Sequence, residues 1–338
     1  MTVTDAQWAD AVRLLTDHDP AQPVVLACHV GPDGDALGSM IGLGVALRDR
    51  GTRVVASFGS EPFEVPRAYR GLPGLDLLVH PDDLPSVPAL LVTFDTGSAD
   101  RLGSLARLVD TAAAVLVIDH HASGEPYGTH RLVDQAAAAT AVLVADLVDR
   151  LGLPLTADVA APLYTGLVTD TGSFKYAATS PQVHDLAARL LATGIRHDLI
   201  SRAIWDTQPF DYVRLLGASV ARATLEQQAV GGLGLVWTTV TADDLATHSL
   251  GLADVEGVID VLRTAQEAEV AVVVKQEPDR SAWRISTRSK GQVDVGAVCA
   301  SFGGGGHRFA AGFTSYDEPL ATLELLRARL ADAPRLPA

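Results

Sequence analysis

A segment with the composition of a metal site lies near the N-terminus. One imidazole, His29, and two carboxylates, Asp33 and Asp35, fall within seven residues. Such donors are typical of Mn²⁺ or Mg²⁺ sites, and the nitrogen ligand favours Mn²⁺. Pro32 and Gly34 predict an irregular backbone from which all three side chains project. The alternative is that Asp-Gly-Asp forms a turn and a helix cap while His29 packs alone.

Carboxylates and imidazoles recur where three later segments end. Two apolar runs, residues 90–94 and 115–118, are typical of buried strands, and an apolar helical stretch ends near residue 168. The groups that follow these segments are Asp95, Asp119, His120, His121 and Asp170. A single Asp after a strand is usually only a cap or turn residue. Five acids packed together would repel one another, however, and a dinuclear metal centre relieves that repulsion.

The elements that must position these groups alternate between β-branched runs and helical stretches, which predicts an α/β parallel sheet with crossover helices. Ligands bind such sheets beyond the carboxyl ends of the strands, where these groups lie. Strands are predicted at 24–28, 53–57, 89–94 and 115–118, and helices at 36–50, 104–110, 136–151, 157–168, 181–191 and 198–205. The predicted domains are 1–205, a helical linker at 206–223, and a smaller mixed α/β domain at 224–338.

The second domain is predicted to mix strands and helices around a glycine run. Its strands are predicted at 230–240, 270–276 and 283–288, and its helices at 254–265, 293–302 and 319–330. Four glycines at 303–306 come between the second of these helices and a strand-like tail that ends at Gly312. A bare glycine run is more typical of a flexible linker. These flanks favour a phosphate cradle instead.

Composition limits the class of protein. The formal net charge of −15 argues against an extended basic face for long duplex nucleic acid and favours small substrates. With only two cysteines, Cys28 and Cys299, no disulfide framework is predicted. The first residues lack a signal pattern and the apolar runs are too short to cross a bilayer. A cytoplasmic protein without a membrane partner is therefore predicted.

The chemistry-bearing segments resemble the four ordered motifs of the DHH phosphoesterases. The matching elements are His-x-x-x-Asp-x-Asp-x-x-Gly-Ser at 29–39, the strand-end Asp95, the triplet Asp119-His120-His121, and Asp170. The superfamily includes family II inorganic pyrophosphatases, exopolyphosphatases, RecJ exonucleases and the small oligoribonuclease/pAp phosphatases called nanoRNases. The length of the chain and its two-domain layout look most like a nanoRNase.

The second half is similar to the DHH-associated substrate-binding domain. The matching residues are Arg288, Ser289, Gly304, Gly305, Gly306, His307 and Arg308. In that domain the backbone N–H groups of the glycine run approach a phosphate, while Arg288 and His307 would contact the terminal phosphate or the base. The resemblance thus implies an active site in the cleft between two domains that close on the substrate.

The resemblance implies two divalent metal ions, with Mn²⁺ favoured and Mg²⁺ or Co²⁺ as alternatives. The ligands of one ion would be His29, Asp33 and Asp95. The ligands of the other would be Asp35, Asp95, His120 and Asp170, so Asp95 would bridge the pair. Asp119 would orient His120 or accept a proton, and His121 would stabilise charge at the scissile phosphate or protonate the leaving oxygen.

The implied activity is hydrolysis of short oligoribonucleotides, pAp, or linear or cyclic dinucleotides to mononucleotides, and the implied assembly is a homodimer. The sequence does not choose between nanoRNA, pAp and c-di-AMP as substrates. A polyphosphate or pyrophosphate hydrolase is a rival, which the nucleotide-type second domain disfavours. A non-catalytic nucleotide sensor is another rival, although such a protein would typically have lost a metal ligand, and all six are present here.

Overall fold

Apolar runs in the first half of the chain form a parallel sheet, as the sequence predicts. The computed structural model describes residues 3–121 and 124–336, which divide into the units Met1–Thr207 and Gln208–Ala338. The strands of the first unit are β1 Val24–Cys28, β2 Val54–Phe58, β3 Leu91–Phe94, β4 Val115–Asp119 and β5 His130–Val133. They lie in the order β2-β1-β3-β4-β5, and each neighbouring pair is parallel. The fifth strand was not predicted, because its four residues carry little apolar signal.

Helical segments cover both faces of this sheet. The helices are α1 Asp5–Thr16, α2 Gly34–Asp49, α3 Arg107–Thr111, α4 Thr140–Arg150, α5 Ala157–Asp170, α6 Pro181–Ala192 and α7 His197–Trp205. Side chains of a strand alternate between the two faces. Thus Leu26 of β1 packs in the same apolar cluster as residues of α1, α2, α4 and α5, whereas Val25 packs with Leu102, Leu105 and Leu108. A strand buried on both faces reads as a continuous apolar run, which explains why β1 was predicted with its correct bounds.

The bounds of several predicted helices differ from those in the structure; the helix predicted at 136–151 begins only at Thr140, and that predicted at 254–265 is a 3-10 segment, Leu252–Val255, followed by a short helix, Val258–Leu262. Helix α2 begins at Gly34 rather than at residue 36, so the irregular backbone ends at Asp33, two residues earlier than predicted. The helix predicted at 104–110 is instead a 3-10 segment, Ala99–Leu105, followed by the short α3, and Gly103 inside that segment has a φ of 60°. The positive φ interrupts regular helix geometry, which apolar periodicity alone does not reveal.

Helices α2 and α5 approach closely along a stripe of glycines. A Cβ on Gly38 would lie 2.3 Å from the Pro162 oxygen, and one on Gly166 would lie 2.7 Å from the Asp35 Oδ1. Residues four apart share one face of a helix. The stripe on α2 consists of Gly34, Gly38 and Gly42, each with atoms of α5 within 2.7 Å of the missing Cβ. Backbone contact of this kind fixes the distance between the two helices.

The second unit contains a mixed sheet. Its strands are β6 Thr224–Glu226, β7 Leu235–Val240, β8 Val270–Gln276, β9 Trp283–Ser289, β10 Gly305–His307 and β11 Ala310–Ser315. Their order is β10-β11-β9-β8-β7-β6, with β7 and β8 parallel and the other neighbours antiparallel. The helices are α8 Phe210–Ala221, α9 Ala229–Gly232, α10 Ala242–His248, α11 Val258–Leu262, α12 Val295–Ala300 and α13 Pro319–Asp332. Among the described residues, no helix combines the length and the apolar character needed to cross a membrane.

The segment between the predicted domains belongs to the second unit. Helix α8 buries Tyr212 and Leu215 in an apolar cluster with Val236 and Val240 of β7. The strand predicted at 230–240 begins only at Leu235, because Val230 and the following glycine are left-handed. The division between the two units follows Thr207, and α8 lies in the second of them.

Candidate metal centre

Three strands of the first sheet end side by side, and the residues that follow them share one edge. The last residue of β1 is in register with the last residue of β3, which is in turn in register with Ile118 of β4. His29 and Asp95 therefore leave the sheet next to Asp119, which ends β4. All three are buried, although each carries a polar side chain.

His29, Asp33 and Asp95 form a first group of possible ligands. The Nε2 of His29 lies 3.6 Å from the Asp95 Oδ2 and 3.8 Å from the Asp33 Oδ2. The other ring nitrogen, Nδ1, lies 2.9 Å from the Val30 carbonyl oxygen, which can only accept a hydrogen bond. A proton on Nδ1 leaves the lone pair of Nε2 facing the two carboxylates.

The cap and ligand interpretations of Asp33 are compatible. Its Oδ1 accepts hydrogen bonds from the backbone N–H groups of Asp35, at 3.1 Å, and Ala36, at 3.0 Å, so it caps α2. Its Oδ2 is the atom that faces His29. One oxygen of the Asp33 carboxylate thus caps α2, and the other can bind a cation.

Asp35, His120 and Asp170 form a second group, which also includes Asp95. The Nε2 of His120 lies 3.1 Å from the Asp170 Oδ2, 3.4 Å from the Asp95 Oδ1 and 3.9 Å from the Asp35 Oδ2. Its Nδ1 lies 3.0 Å from the carbonyl oxygen of Ala137. Both histidines are therefore oriented in the same way, with Nδ1 held by a backbone carbonyl and Nε2 facing acids.

Asp95 is the residue that the two groups share. Its Oδ2 faces His29 and its Oδ1 faces His120, so one carboxylate spans both groups. Only 2% of the residue is exposed, and its φ of 56° lies in the left-handed region. Aspartate and asparagine tolerate that conformation better than most residues.

Asp35 is fixed by a helix that begins far along the chain. Its Oδ2 accepts from the backbone N–H of Thr140 at 2.6 Å, and its Oδ1 accepts from that of Ala141 at 2.9 Å. The hydroxyl of Ser39, one turn along α2, also donates to Oδ1. These partners were not predicted; the spacing of four residues could have indicated Ser39, whereas no local pattern connects Asp35 to α4.

Asp119 has a different partner from the one expected. Its Oδ1 lies 2.7 Å from the His121 Nδ1 and accepts from the His121 backbone N–H at 3.2 Å. The expectation that Asp119 orients His120 is therefore corrected, because the Ala137 carbonyl does so. A carboxylate on Nδ1 of His121 fixes the orientation of the ring.

The electrostatics of the cluster favour bound positive charge. Burial alone would lower the pKa of His29, but the nearby carboxylates of Asp33 and Asp95 and their negative charges raise it to about 10. Burial, followed by the charges of Asp95 and Asp170, raises the pKa of Asp35 well above its ordinary value. A divalent cation bound to the cluster would supply positive charge that, without the cation, comes from protons bound to these side chains.

The donor set fits two divalent cations. Ligand atoms about 2.1 Å from a cation lie roughly 3 Å apart at octahedral angles. Ligand atoms of His29, Asp33 and Asp95 lie within 4.8 Å of one another, and so do those of Asp35, His120 and Asp170. Carboxylate oxygens with one imidazole nitrogen per cation suit Mn²⁺ or Mg²⁺ rather than thiophilic metals.

In the second unit, Arg288 and His307 occupy the same face of the sheet. Arg288 of β9 is in register with Ala310 of β11, which is in register with His307 of β10. Ser289 lies on the opposite face, where its buried hydroxyl donates to the Glu269 Oε1 at 2.7 Å. Ser289 therefore does not share a face with Arg288.

The glycine run is part of a hairpin rather than a free loop. Gly305 and Gly306 belong to β10, which pairs with β11. A Cβ on Gly304 would lie 2.1 Å from the Gly312 oxygen, and one on Gly306 would lie 2.6 Å from the Ala310 oxygen. The glycines at 304 and 306 are therefore required for packing within the hairpin. The neighbouring Arg308 is exposed, and its Nε lies 3.3 Å from the Asp294 Oδ2.

We expect Mn²⁺ to raise the melting temperature of this protein relative to EDTA. A ligand that binds only the native state stabilises it by about 2.7 kcal/mol at 100 times its Kd. For a unit of this size that is a rise of roughly 5–10 °C. Differential scanning calorimetry would measure it, and Asp95→Asn should reduce the shift. Equal melting temperatures in Mn²⁺, Mg²⁺ and EDTA would contradict a cation site.

Both halves of the chain match known families. Residues 23–167 match the model of the DHH family, N-terminal domain, and residues 246–332 match that of the DHHA1 domain. The exopolyphosphatase-related protein from Bacteroides fragilis has the same fold, with a TM-score of 0.86 and 21% identity, covering 97% of this chain and 96% of that one.

Two curated relatives carry the same name. The bifunctional oligoribonuclease and PAP phosphatase NrnA of Thermus thermophilus is 34% identical over 293 residues, covering 86% of this chain and 84% of that protein. Its namesake from Bacillus subtilis is 26% identical, covering 94% and 97%. The chain therefore belongs to the DHH family and is a phosphoesterase, a hydrolase of phosphate esters.

Proposed function

We propose that the protein hydrolyses short oligoribonucleotides and pAp to mononucleotides with two Mn²⁺ ions. The observation that carries the proposal is the carboxylate of Asp95, which offers one oxygen to each of two ligand groups. The likeness to the oligoribonuclease and PAP phosphatase of Thermus thermophilus supports the choice of substrate. The net charge of −15 also favours short substrates, since long nucleic acid is usually bound by extended basic surfaces.

In the proposed site, His29, Asp33 and Asp95 hold one cation. The residues proposed to hold the other are Asp35, Asp95, His120 and Asp170. When bound, such a pair lowers the pKa of a water molecule and neutralises charge on the phosphoryl oxygens. Mn²⁺ is preferred to Mg²⁺ because each group contributes an imidazole nitrogen.

His121 is the proposed acid of the reaction. Its Nδ1 is held by the buried carboxylate of Asp119 at 2.7 Å, and this contact fixes the orientation of the ring. A protonated imidazole can donate to the oxygen that leaves when the phosphate ester breaks. The neighbouring His120 points its Nε2 at three acids and serves as a ligand instead.

Arg288 and His307 are the proposed contacts for the end of the substrate, with Arg308 and the glycine run beside them. A guanidinium and an imidazole on one face of a sheet suit the terminal phosphate and the base of a nucleotide. The backbone N–H groups of Gly304, Gly305 and Gly306 are proposed as further phosphate donors, because a glycine backbone can be approached closely.

A panel of substrates in three metal conditions tests this function. We would measure phosphate and nucleotide release from pAp, pApA, c-di-AMP, a five-nucleotide RNA and inorganic polyphosphate, each with Mn²⁺, Mg²⁺ or EDTA. The expected result is EDTA-sensitive hydrolysis of pAp and the RNA. Faster turnover of c-di-AMP would assign the protein to cyclic dinucleotide degradation. Polyphosphate hydrolysis alone, or nucleotide binding without turnover, would overturn the proposal.

Replacing Arg288 with Gln is expected to raise the KM for pAp roughly 10- to 100-fold with little change in kcat. A hydrogen bond to a charged group contributes about 1.5–3 kcal/mol. The bond from Arg288 to the substrate would be equally strong in the bound substrate and in the transition state, so its loss raises KM and leaves kcat nearly unchanged. Steady-state kinetics would measure the change. Arg284→Gln is the matched control, because Arg284 is on the same strand but pairs with Glu277. An unchanged KM in Arg288→Gln would place recognition elsewhere.

A further inference from the structure

The start of helix α4 contacts ligands from both proposed metal groups at once. The backbone N–H groups of Thr140 and Ala141 donate to the two oxygens of Asp35, at 2.6 and 2.9 Å. The hydroxyl of the same Thr140 lies 2.9 Å from the Asp95 Oδ1. Two acids that are 60 residues apart in the chain are therefore held by one residue.

The direction of the hydroxyl bond is fixed by its surroundings. Thr140 and Asp95 are almost fully buried, at 0% and 2% exposure. An ionised carboxylate can only accept, so the Thr140 hydroxyl donates to it in a charge-assisted hydrogen bond. The oxygen that accepts, Oδ1, is the one that faces His120, whereas Oδ2 is left toward His29.

Helix capping does not explain this threonine. A capping hydroxyl accepts hydrogen bonds from N–H groups of its own helix. Ala139 occupies the cap position of α4, and the hydroxyl of Thr140 donates instead to the carboxylate of Asp95, directly after β3. Asp35 takes over the capping of α4 from outside the helix.

We propose that Thr140 is a positioning residue that aims the shared carboxylate of Asp95, so that its two oxygens serve two different cations. The inference rests on the proposed two-cation site and goes beyond it, because it assigns the pairing of the sites to a residue that is not itself a ligand. Without the hydroxyl, the Asp95 carboxylate can rotate away from His120. The Thr140 hydroxyl acts directly on Oδ1, the oxygen on the side of the second cation, so we expect binding of that cation to weaken more than binding of the first.

Metal titration of purified variants tests this role without relying on activity. Thr140→Val removes the hydroxyl but keeps the shape and both backbone N–H groups, and Thr140→Ser restores the hydroxyl. We expect Thr140→Val to bind one of two Mn²⁺ ions about 10- to 100-fold more weakly by calorimetry. Its electron paramagnetic resonance spectrum at two equivalents should show isolated Mn²⁺ instead of a coupled pair. Thr140→Ser should resemble the wild type.

A buried threonine outside the site provides the matched control. Thr165 of α5 is also buried, and its hydroxyl donates to the Ala161 carbonyl of its own helix. Thr165→Val should leave Mn²⁺ binding unchanged. If wild-type protein binds two Mn²⁺ ions and Thr140→Val binds both with the same affinity, the role of Thr140 is overturned. Wild-type protein that binds no Mn²⁺ would instead overturn the proposed function.

Discussion

Replacing Asp95 with Asn is expected to lower turnover of pAp by at least about 1,000-fold while the protein stays folded. The carboxylate has one oxygen toward His29 and the other toward His120, so a neutral amide weakens both proposed cation sites together. Weaker cation binding removes several kcal/mol of charge stabilisation from the transition state. Each 1.4 kcal/mol that is lost lowers the rate about tenfold. Asparagine is chosen because it accepts the φ of 56° at this position, whereas alanine would add backbone strain.

The kinetic assay needs a control for the loss of an acid as such. Asp110→Asn removes a carboxylate from the exposed end of α3, far along the chain from any proposed ligand, and should retain wild-type turnover. Circular dichroism would verify that both variants are folded, and a titration would show weaker Mn²⁺ binding in Asp95→Asn alone. Turnover of Asp95→Asn above about a tenth of the wild-type rate in saturating Mn²⁺ would rule out the shared-ligand scheme.

The sequence was sufficient to predict the acids and histidines at the sheet edge because of how parallel strands are built. A buried strand such as β1 is apolar along its whole length, so a polar residue directly after it marks the end of the strand. Parallel pairing then brings the ends of β1, β3 and β4 to one edge, with His29 next to Asp95. Neither step needs knowledge of contacts between distant residues.

The partners that orient these groups could not be predicted in the same way. The bonds from Thr140 to Asp35 and Asp95 join positions 105 and 45 residues apart, and no spacing rule connects them. The sequence also does not show that Asp119 contacts His121 rather than His120. That arrangement depends on the Ala137 carbonyl, which occupies the Nδ1 side of the His120 ring.

Alternation along a strand explains why Ser289 does not lie beside Arg288 as the sequence suggested. The predicted strand ended at residue 288. Side chains alternate between faces only within a strand, so Ser289, outside the predicted strand, could share a site with Arg288. Strand β9 continues through Ser289, so the two side chains point to opposite faces. An error of one residue in the bound of a strand thus moves a side chain from the proposed substrate face into the contact with Glu269.

Replacing Gly38 with Ala is expected to destabilise the protein by about 3 kcal/mol, at the upper end of what overpacking costs. The new Cβ would lie 2.3 Å from the carbonyl oxygen of Pro162 and 3.0 Å from the backbone nitrogen of Gly166. Backbone atoms cannot rotate away as a side chain can, so α2 and α5 must separate. Urea unfolding monitored by circular dichroism would measure the loss.

Helix separation should also weaken cation binding, because α2 carries Asp35 and α5 ends at Asp170. Gly217→Ala is the matched control: Gly217 lies within α8 and a Cβ there meets nothing within 4 Å. Since alanine is the better helix former, that variant should gain about 0.5–1 kcal/mol and bind Mn²⁺ normally. The same substitution would then have opposite effects on stability in two helices. If Gly38→Ala were as stable as Gly217→Ala, backbone contact between α2 and α5 could not be what sets the spacing of the two acids.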